Sequence, residues 1–193
     1  MPCDTAVTAA NLTQICSSCR PRAIITNPAI WRRLSEECQG LDALETVVFL
    51  EPTELEVESL RRQIIAEGER RRSVELSSPS VGESDVATLM YTTGTTGGAK
   101  GVPLTHRNIF AAITNIISFI GYSESDREVV ILPWSHNFGL GHLYCNLISG
   151  GAVYTENGMA RVGRVLKQLS AFGATGFPGT PTGIGILLDK YSE

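Results

Sequence analysis

An α/β fold with a mostly parallel sheet and alternating helices is what this sequence predicts, and three observations carry it. Short runs rich in β-branched residues recur along the chain. Stretches with apolar residues at helical spacing separate them. Clusters of Gly, Pro and Ser mark the joints. With 193 residues, 42% of them hydrophobic, the chain has the size and composition of a globular domain. Strands joined through helices of this length imply parallel pairing with right-handed crossovers.

Two segments organise the reading: residues 1–83, a partial α/β lead-in, and residues 84–193, an α/β subdomain. In the first, Ala23-Ile24-Ile25-Thr26 and Thr46-Val47-Val48-Phe49-Leu50 read as short buried strands. A charged helix is expected from Leu55 to Glu67. Arg61-Arg62 and Arg70-Arg71-Arg72 interleave with Glu54, Glu56, Glu58, Glu67 and Glu69, and the whole chain has a net charge of −4. That alternation describes a solvated, salt-bridged face rather than a nucleic-acid patch. Residues 68–83 read as a polar linker.

The second segment is more regular. The apolar run Val86-Ala87-Thr88-Leu89-Met90 is a strand, and Val102-Pro103-Leu104 a short one after it. Thr105 caps a helix in which Ile109, Ile113, Ile116, Ile117 and Ile120 share a face. A strand over 128–132 leads to a helix that runs to about Leu147 and stops at Gly150-Gly151. Ala152-Val153-Tyr154 is the next strand, and Val162, Val165, Leu166 and Leu169 mark an amphipathic helix. A strand at 174–177 and a helix from Thr182 to Tyr191 complete the row.

Between the first two strands of this segment lies its most informative stretch, Tyr91-Thr92-Thr93-Gly94-Thr95-Thr96-Gly97-Gly98-Ala99-Lys100-Gly101. Each glycine costs roughly 0.5–1 kcal/mol of extra ordering entropy in a regular element. Four together fit a backbone that turns with positive φ or approaches a ligand closely. Amides, threonine hydroxyls and one ammonium all present hydrogen, and no acidic side chain competes, so the matching ligand is a polyphosphate. A solvated turn between strands seldom carries this density of donors plus a lysine. The P-loop pattern fails, because Ala99 rather than glycine precedes Lys100 and Gly101 stands where its magnesium-binding hydroxyl belongs. Gly139-Leu140-Gly141 and Gly183-Ile184-Gly185 lack the third glycine of a dinucleotide fingerprint.

Tyr91 to Gly101 resembles the signature loop of the AMP-forming adenylating enzymes, the superfamily of acyl-CoA synthetases, peptide-synthetase adenylation domains and luciferases. Its family form is close to [YF]-T-S-G-[ST]-T-G-x-P-K-G; here Thr93 replaces serine and Ala99 replaces proline. Losing that proline is expected to loosen the approach to Lys100. Ser84-Asp85-Val86-Ala87 and Leu104-Thr105-His106-Arg107-Asn108 are similar to the flanking stretches. Leu132-Pro133-Trp134-Ser135-His136-Asn137-Phe138-Gly139 resembles the motif Pro-x-x-His-x-x-Gly, and Ala174 to Thr182 a later strand and turn. The likeness covers residues 84–193 well and residues 1–83 loosely.

The resemblance implies an incomplete part of the large N-terminal domain of an adenylating enzyme. It implies ATP-dependent activation of a small carboxylic acid as acyl-adenylate, with coenzyme A or the pantetheine of a carrier protein as acceptor. Thr92, Thr93, Gly94, Thr95, Thr96, Gly97 and Lys100 are then assigned to the β- and γ-phosphates. A unit charge pair at 4 Å is worth roughly 4 kcal/mol at an effective dielectric of 20, so Lys100 helps without holding a nucleotide alone. His136 is assigned as the catalytic candidate, at the wall of the acyl site, against the plainer reading of a hydrogen-bonded structural histidine. Trp134, Phe138 and Gly139 line the same pocket, a reading set beside ordinary core. His106 and His142 keep the plainer reading. The magnesium ligand, adenine and ribose sites and catalytic lysine of such enzymes come after the region matching Tyr191, so this stretch is expected to be inactive alone and to expose apolar surface. The alternative is a non-catalytic remnant that binds a nucleotide or a protein partner.

Other signals are weak. Cys16-Ser17-Ser18-Cys19 has no second pair or histidine nearby to complete a zinc site, and no metal ligands are assigned. Five cysteines, without a basic-then-apolar leader, are expected of reduced thiols in a cytoplasmic protein. No membrane span and no nucleic-acid partner are expected.

Overall fold

The computed structural model describes residues 1–50, 61–64, 80–93, 99–156, 158 and 162–191. Its elements run α1 (Ala9–Cys19), β1 (Ala23–Thr26), α2 (Pro28–Leu34), β2 (Thr46–Phe49), β3 (Arg61–Ile64), β4 (Val86–Thr93), β5 (Ala99–Thr105), α3 (His106–Ile120), β6 (Arg127–Val130), α4 (Asn137–Ser149), β7 (Ala152–Thr155), α5 (Val162–Phe172) and α6 (Pro181–Tyr191). They fall into two compact units. The first holds Thr5–Val81 and Tyr91–Val102, and the second holds Met1–Asp4, Gly82–Met90 and Pro103–Glu193.

In the first unit β1, β2 and β3 form a parallel sheet in that order, with Ala23 opposite Thr46 and Thr46 opposite Arg61. Both helices start on side-chain caps: Thr8 accepts the Asn11 N–H, and Asn27, followed by Pro28 in the first turn, accepts the Ile30 N–H. Neither helix was expected, although both caps are written in the sequence. The core is Leu44, Val47 and Phe49, with Ile24, Trp31 and Leu41 against it. Trp31 meets Phe49 edge-on at 6.4 Å, a preferred aromatic geometry.

Two expectations here need correction. Arg61–Ile64 is a strand paired with β2, not the middle of a charged helix; the rest of that expected helix, like most of the expected linker, lies outside the described residues. The run of Arg and Glu carries no strand period, so pairing with a neighbour overrides local propensity. β1 is also not buried: its residues alternate exposed and half-buried, with Ile25 66% exposed.

In the second unit β6 and β7 pair in parallel, Arg127 opposite Ala152. α5 packs on this sheet through Val165, which joins Val129 and Ile131 in a core closed by Tyr154, Leu169, Phe172, Ala174 and Phe177. α3 begins as expected, with Thr105 and Asn108 capping each other reciprocally, and ends at Gly121 with φ 85°. Of its isoleucines only Ile113 is fully buried, while Ile116 and Ile120 stay exposed. α4 stops at Gly150, φ 79°, where a helix end was expected.

The expected strand at 174–177 reduces to a single parallel bridge between Glu128 and Gly176. The Thr175 hydroxyl explains part of this, because it takes the Arg127 N–H at 3.0 Å and donates to Asp126 at 2.9 Å, displacing regular ladder bonds. The architecture is α/β with alternating helices, as predicted; its sheets are mixed, with β1–β2, β2–β3 and β6–β7 the parallel pairs.

Candidate functional site

β4 and β5 pair as a two-stranded sheet, and residues 94–98 connect them. Thr92 and Thr93 end β4, and Lys100 lies second in β5. Of the assigned phosphate ligands, Gly94, Thr95, Thr96 and Gly97 lie outside the described residues. Thr92 and Lys100 are exposed. Among the described residues no carboxylate forms an ion pair with Lys100.

Two contacts tie the stems of this loop. A Cβ placed on Gly101 would lie 3.1 Å from the Tyr91 ring, so the glycine lets the ring lie close against the facing strand. The Tyr91 hydroxyl oxygen is buried with no hydrogen-bond partner among the described residues. On the other stem, the Ala99 N–H donates to Gln14 Oε1 of α1 at 2.9 Å. Gln14 carries no motif, and nothing in the sequence connects it to the loop.

His136 is the N-cap of α4, with extended backbone (φ −112°, ψ 143°), and its side chain makes no capping bond. Its N–H donates to Pro133 O and its carbonyl accepts from Leu140 N–H, both at 3.1 Å. Helices prefer Ser, Thr, Asp or Asn here because a short oxygen satisfies a loose amide. An exposed histidine that leaves this role unused breaks a local rule without a folding gain, which is how functional positions often look.

Gly139 explains the spacing Pro133, His136, Gly139. A Cβ on it would come within 2.6 Å of Pro133 O and 2.8 Å of Leu132 O, so only glycine lets the first turn of α4 press on that backbone. Trp134 and Phe138 are 41% and 50% exposed, and Phe138 meets the His142 ring edge-on at 5.1 Å.

His142 keeps its plain reading, but it belongs to a network that sequence reasoning missed. Glu128, only 7% exposed on β6, accepts from Tyr122 Oη at 2.8 Å, His142 Nδ1 at 2.9 Å and Asn146 Nδ2 at 2.7 Å. Asn146 Nδ2 also donates to His142 O at 2.9 Å, so both acceptors agree on the amide's orientation. Burial pushes the Glu128 carboxyl up, but the bonds from His142, Tyr122 and Asn146 outweigh it and hold the group below the usual carboxylate range. Burial and the bond to Glu128 push the Tyr122 phenol up. Burial, then the Glu128 charge, likewise raises the Cys145 thiol. Gly176 lies against this carboxylate, where a Cβ would sit 2.9 Å from Glu128 Cγ. The only sequence signal for the network was an acidic residue opening an apolar strand.

Among the described residues no group of three His, Cys, Asp or Glu is arranged to hold a metal ion, and no helix is long and apolar enough to cross a membrane.

The Humulus lupulus protein named "Probable CoA ligase CCL9" is 38% identical over 110 residues, which is 56% of this chain and 21% of that protein. An oxalate–CoA ligase of Arabidopsis thaliana is 32% identical over 111 residues, 56% of this chain and 22% of its own. This chain thus spans about a fifth of the length of these curated relatives. Among solved structures, an anthranilate CoA ligase bound to anthranoyl-AMP superposes with a TM-score of 0.81 at 24% identity, covering 94% of this chain and 35% of that one. ATP-bound MatB of Rhodopseudomonas palustris gives 0.73 at 20% identity, covering 97% and 35%. At those identities the two structures establish the fold alone. The family profile described as AMP-binding enzyme matches residues 1–193, and the chain belongs to that family.

Proposed function

We propose that this chain supplies the triphosphate-binding loop and part of the acyl site for ATP-dependent activation of a small carboxylic acid as acyl-adenylate. The observation that carries this reading is the Tyr91–Gly101 stretch in a member of the AMP-binding enzyme family, with Thr92 and an exposed Lys100 on its two stems. A carboxylate oxygen attacks the α-phosphorus of ATP, the bond from that phosphorus to the bridging oxygen breaks, and pyrophosphate leaves with the electron pair. The amides of Gly94, Thr95, Thr96 and Gly97 and the hydroxyls of Thr92, Thr93, Thr95 and Thr96 donate to the β- and γ-phosphates. Lys100 adds positive charge as the leaving group departs.

His136 stands at the wall of the acyl site with Trp134, Phe138 and Gly139, a lining suited to a fatty or aryl acid. The relatives are named as CoA ligases, which supports coenzyme A as the thiol acceptor, with carrier-protein pantetheine the other thiol of the same chemistry. Magnesium accompanies the triphosphate, and no residue of this chain is assigned to it. Cys19, Cys38 and Cys145 are thiols, which supports a reducing, cytoplasmic setting.

A second reading, a nucleotide-binding or protein-interaction module without turnover, draws on the exposed apolar side chains of the second unit, Phe119 at 92% and Leu188 at 65% among them. Two measurements on this chain separate the readings. Saturable ATP binding, displaced by tripolyphosphate, is expected from the loop, and its absence overturns the proposal. Carboxylate-dependent exchange of pyrophosphate into ATP, over a panel of fatty and aryl acids, is not expected of this stretch alone, and detecting it would exclude the module without turnover.

A further inference from the structure

We propose that Gln14 is a positioning residue for the phosphate-binding loop, its side-chain oxygen holding the Ala99 N–H and thereby the strand start that carries Lys100. The inference rests on the loop assignment made above and adds a residue from a helix that no motif marks. The contact spans 85 positions of sequence at 2.9 Å.

α1 is a firm support for such a contact. Ile15 and Cys16 bury its inner face. Thr13 Oγ1 accepts the Gln39 N–H at 2.9 Å, and Arg33 donates to Thr5 O at 2.7 Å and Val7 O at 3.3 Å just ahead of the helix cap. β5 is the opposite case, since Lys100, Gly101 and Val102 are all exposed and few packing contacts fix where Lys100 points. A hydrogen bond to the residue immediately before Lys100 therefore has unusual leverage.

Residue 99 adds a chemical reason. Proline at this place, as in the resembling motif, has φ fixed by its ring and no N–H to donate. Alanine leaves φ soft and presents a donor. Gln14 takes that donor, so a side chain from elsewhere in the fold supplies the restraint that the ring would have supplied locally. The expectation from sequence, that losing proline loosens the approach to Lys100, is answered by this bond.

The test uses the full chain, labelled for amide hydrogen exchange by NMR and titrated with ATP and magnesium. Gln14→Ala is expected to speed exchange at Ala99 and to weaken ATP binding on the order of 2- to 10-fold, the range of one modest hydrogen bond. Its thermal midpoint, with α1 intact, stays near that of the parent. In an Ala99→Pro background, where the donor no longer exists, Gln14→Ala is expected to leave ATP affinity unchanged. A merely structural role for Gln14 would give the same loss in both backgrounds and overturn the proposal. Unchanged exchange at Ala99 in Gln14→Ala overturns it as well, and that arm stands if Ala99→Pro fails to fold. Should the parent chain bind no ATP, the positioning role falls with the loop assignment. Ala99 protection then tells the failures apart: protection retained means the assignment was wrong, and protection lost means the anchor was.

Discussion

The loop stems of the first unit and the β6–α4 region of the second are held by opposite means. Around the stems of Tyr91–Gly101, the described residues show the β4–β5 pairing, an aromatic ring against a glycine and a hydrogen bond to Ala99, while Thr92 and Lys100 stay exposed. Around Glu128 the restraints are buried or half-buried: a carboxylate with three donors, Asn146 fully enclosed, and Gly139 pressed on the Leu132–Pro133 backbone. Donors meant for a mobile polyanion have to remain unpaired until it arrives, so a buried network is unavailable to them. His136, proposed for the acyl site, sits at the start of a helix held in place by these contacts. Under the proposed function, the contrast teaches that the loop assigned to phosphate is set by what is left open and the region assigned to the acyl site by what is closed.

The sharpest way to break this comparison is Glu128→Ala. It leaves Tyr122, His142 and Asn146 facing a void, and a loss of about 3–5 kcal/mol is expected in urea unfolding. A loss below about 1 kcal/mol, within the range of an ordinary substitution, would show that the network is not what fixes α4. Gly139→Ala comes next. Helix propensity alone would favour alanine by up to about 1 kcal/mol, yet its Cβ would meet Pro133 O, so a destabilisation of about 1–3 kcal/mol is expected. The sign of the measured change decides between propensity and packing.

Acid has a smaller effect with a fixed direction. The folded Glu128 carboxyl titrates below its unfolded value, so it contributes stability above the ordinary carboxylate pKa, about 4.3, and that contribution is lost as pH falls through the lower folded value. Asp126, also held low by Ser123 and Thr175, acts in the same sense. The difference between the parent and Glu128→Gln, followed by urea unfolding across the acid range, isolates the Glu128 part; parallel curves would remove it. The smallest change in stability is expected from Lys100→Ala. An exposed side chain leaves the unfolding free energy within about 0.5 kcal/mol, while ATP affinity in calorimetry falls several-fold. Unchanged affinity would take Lys100 out of the site.

How much was legible follows from how local each feature is. The cap at Thr105 and the glycine stop at Gly150 depend on neighbours within one helical turn, and both lie where the sequence placed them. The caps at Thr8 and Asn27 are equally local, yet no helix was expected over the stretches they open. The strand at Arg61–Ile64 was misread because its charges carry no strand period, and only pairing with β2 makes it one. His136 was picked out by its motif, while the reason Gly139 follows it three residues later became visible only from the backbone it touches.

By itself, the sequence determined the α/β alternation, the helix ends and the donor-rich loop, because each is encoded by the conformational preferences and hydrogen-bonding groups of a few adjacent residues. Only the tertiary structure decided that Gln14 meets Ala99 and that Glu128 gathers Tyr122, His142 and Asn146. Those partners lie outside the strands they meet, 6 to 18 positions from Glu128 and 85 from Ala99, and no local preference specifies which donor a buried carboxylate, or which acceptor a backbone amide, will find once the chain has closed.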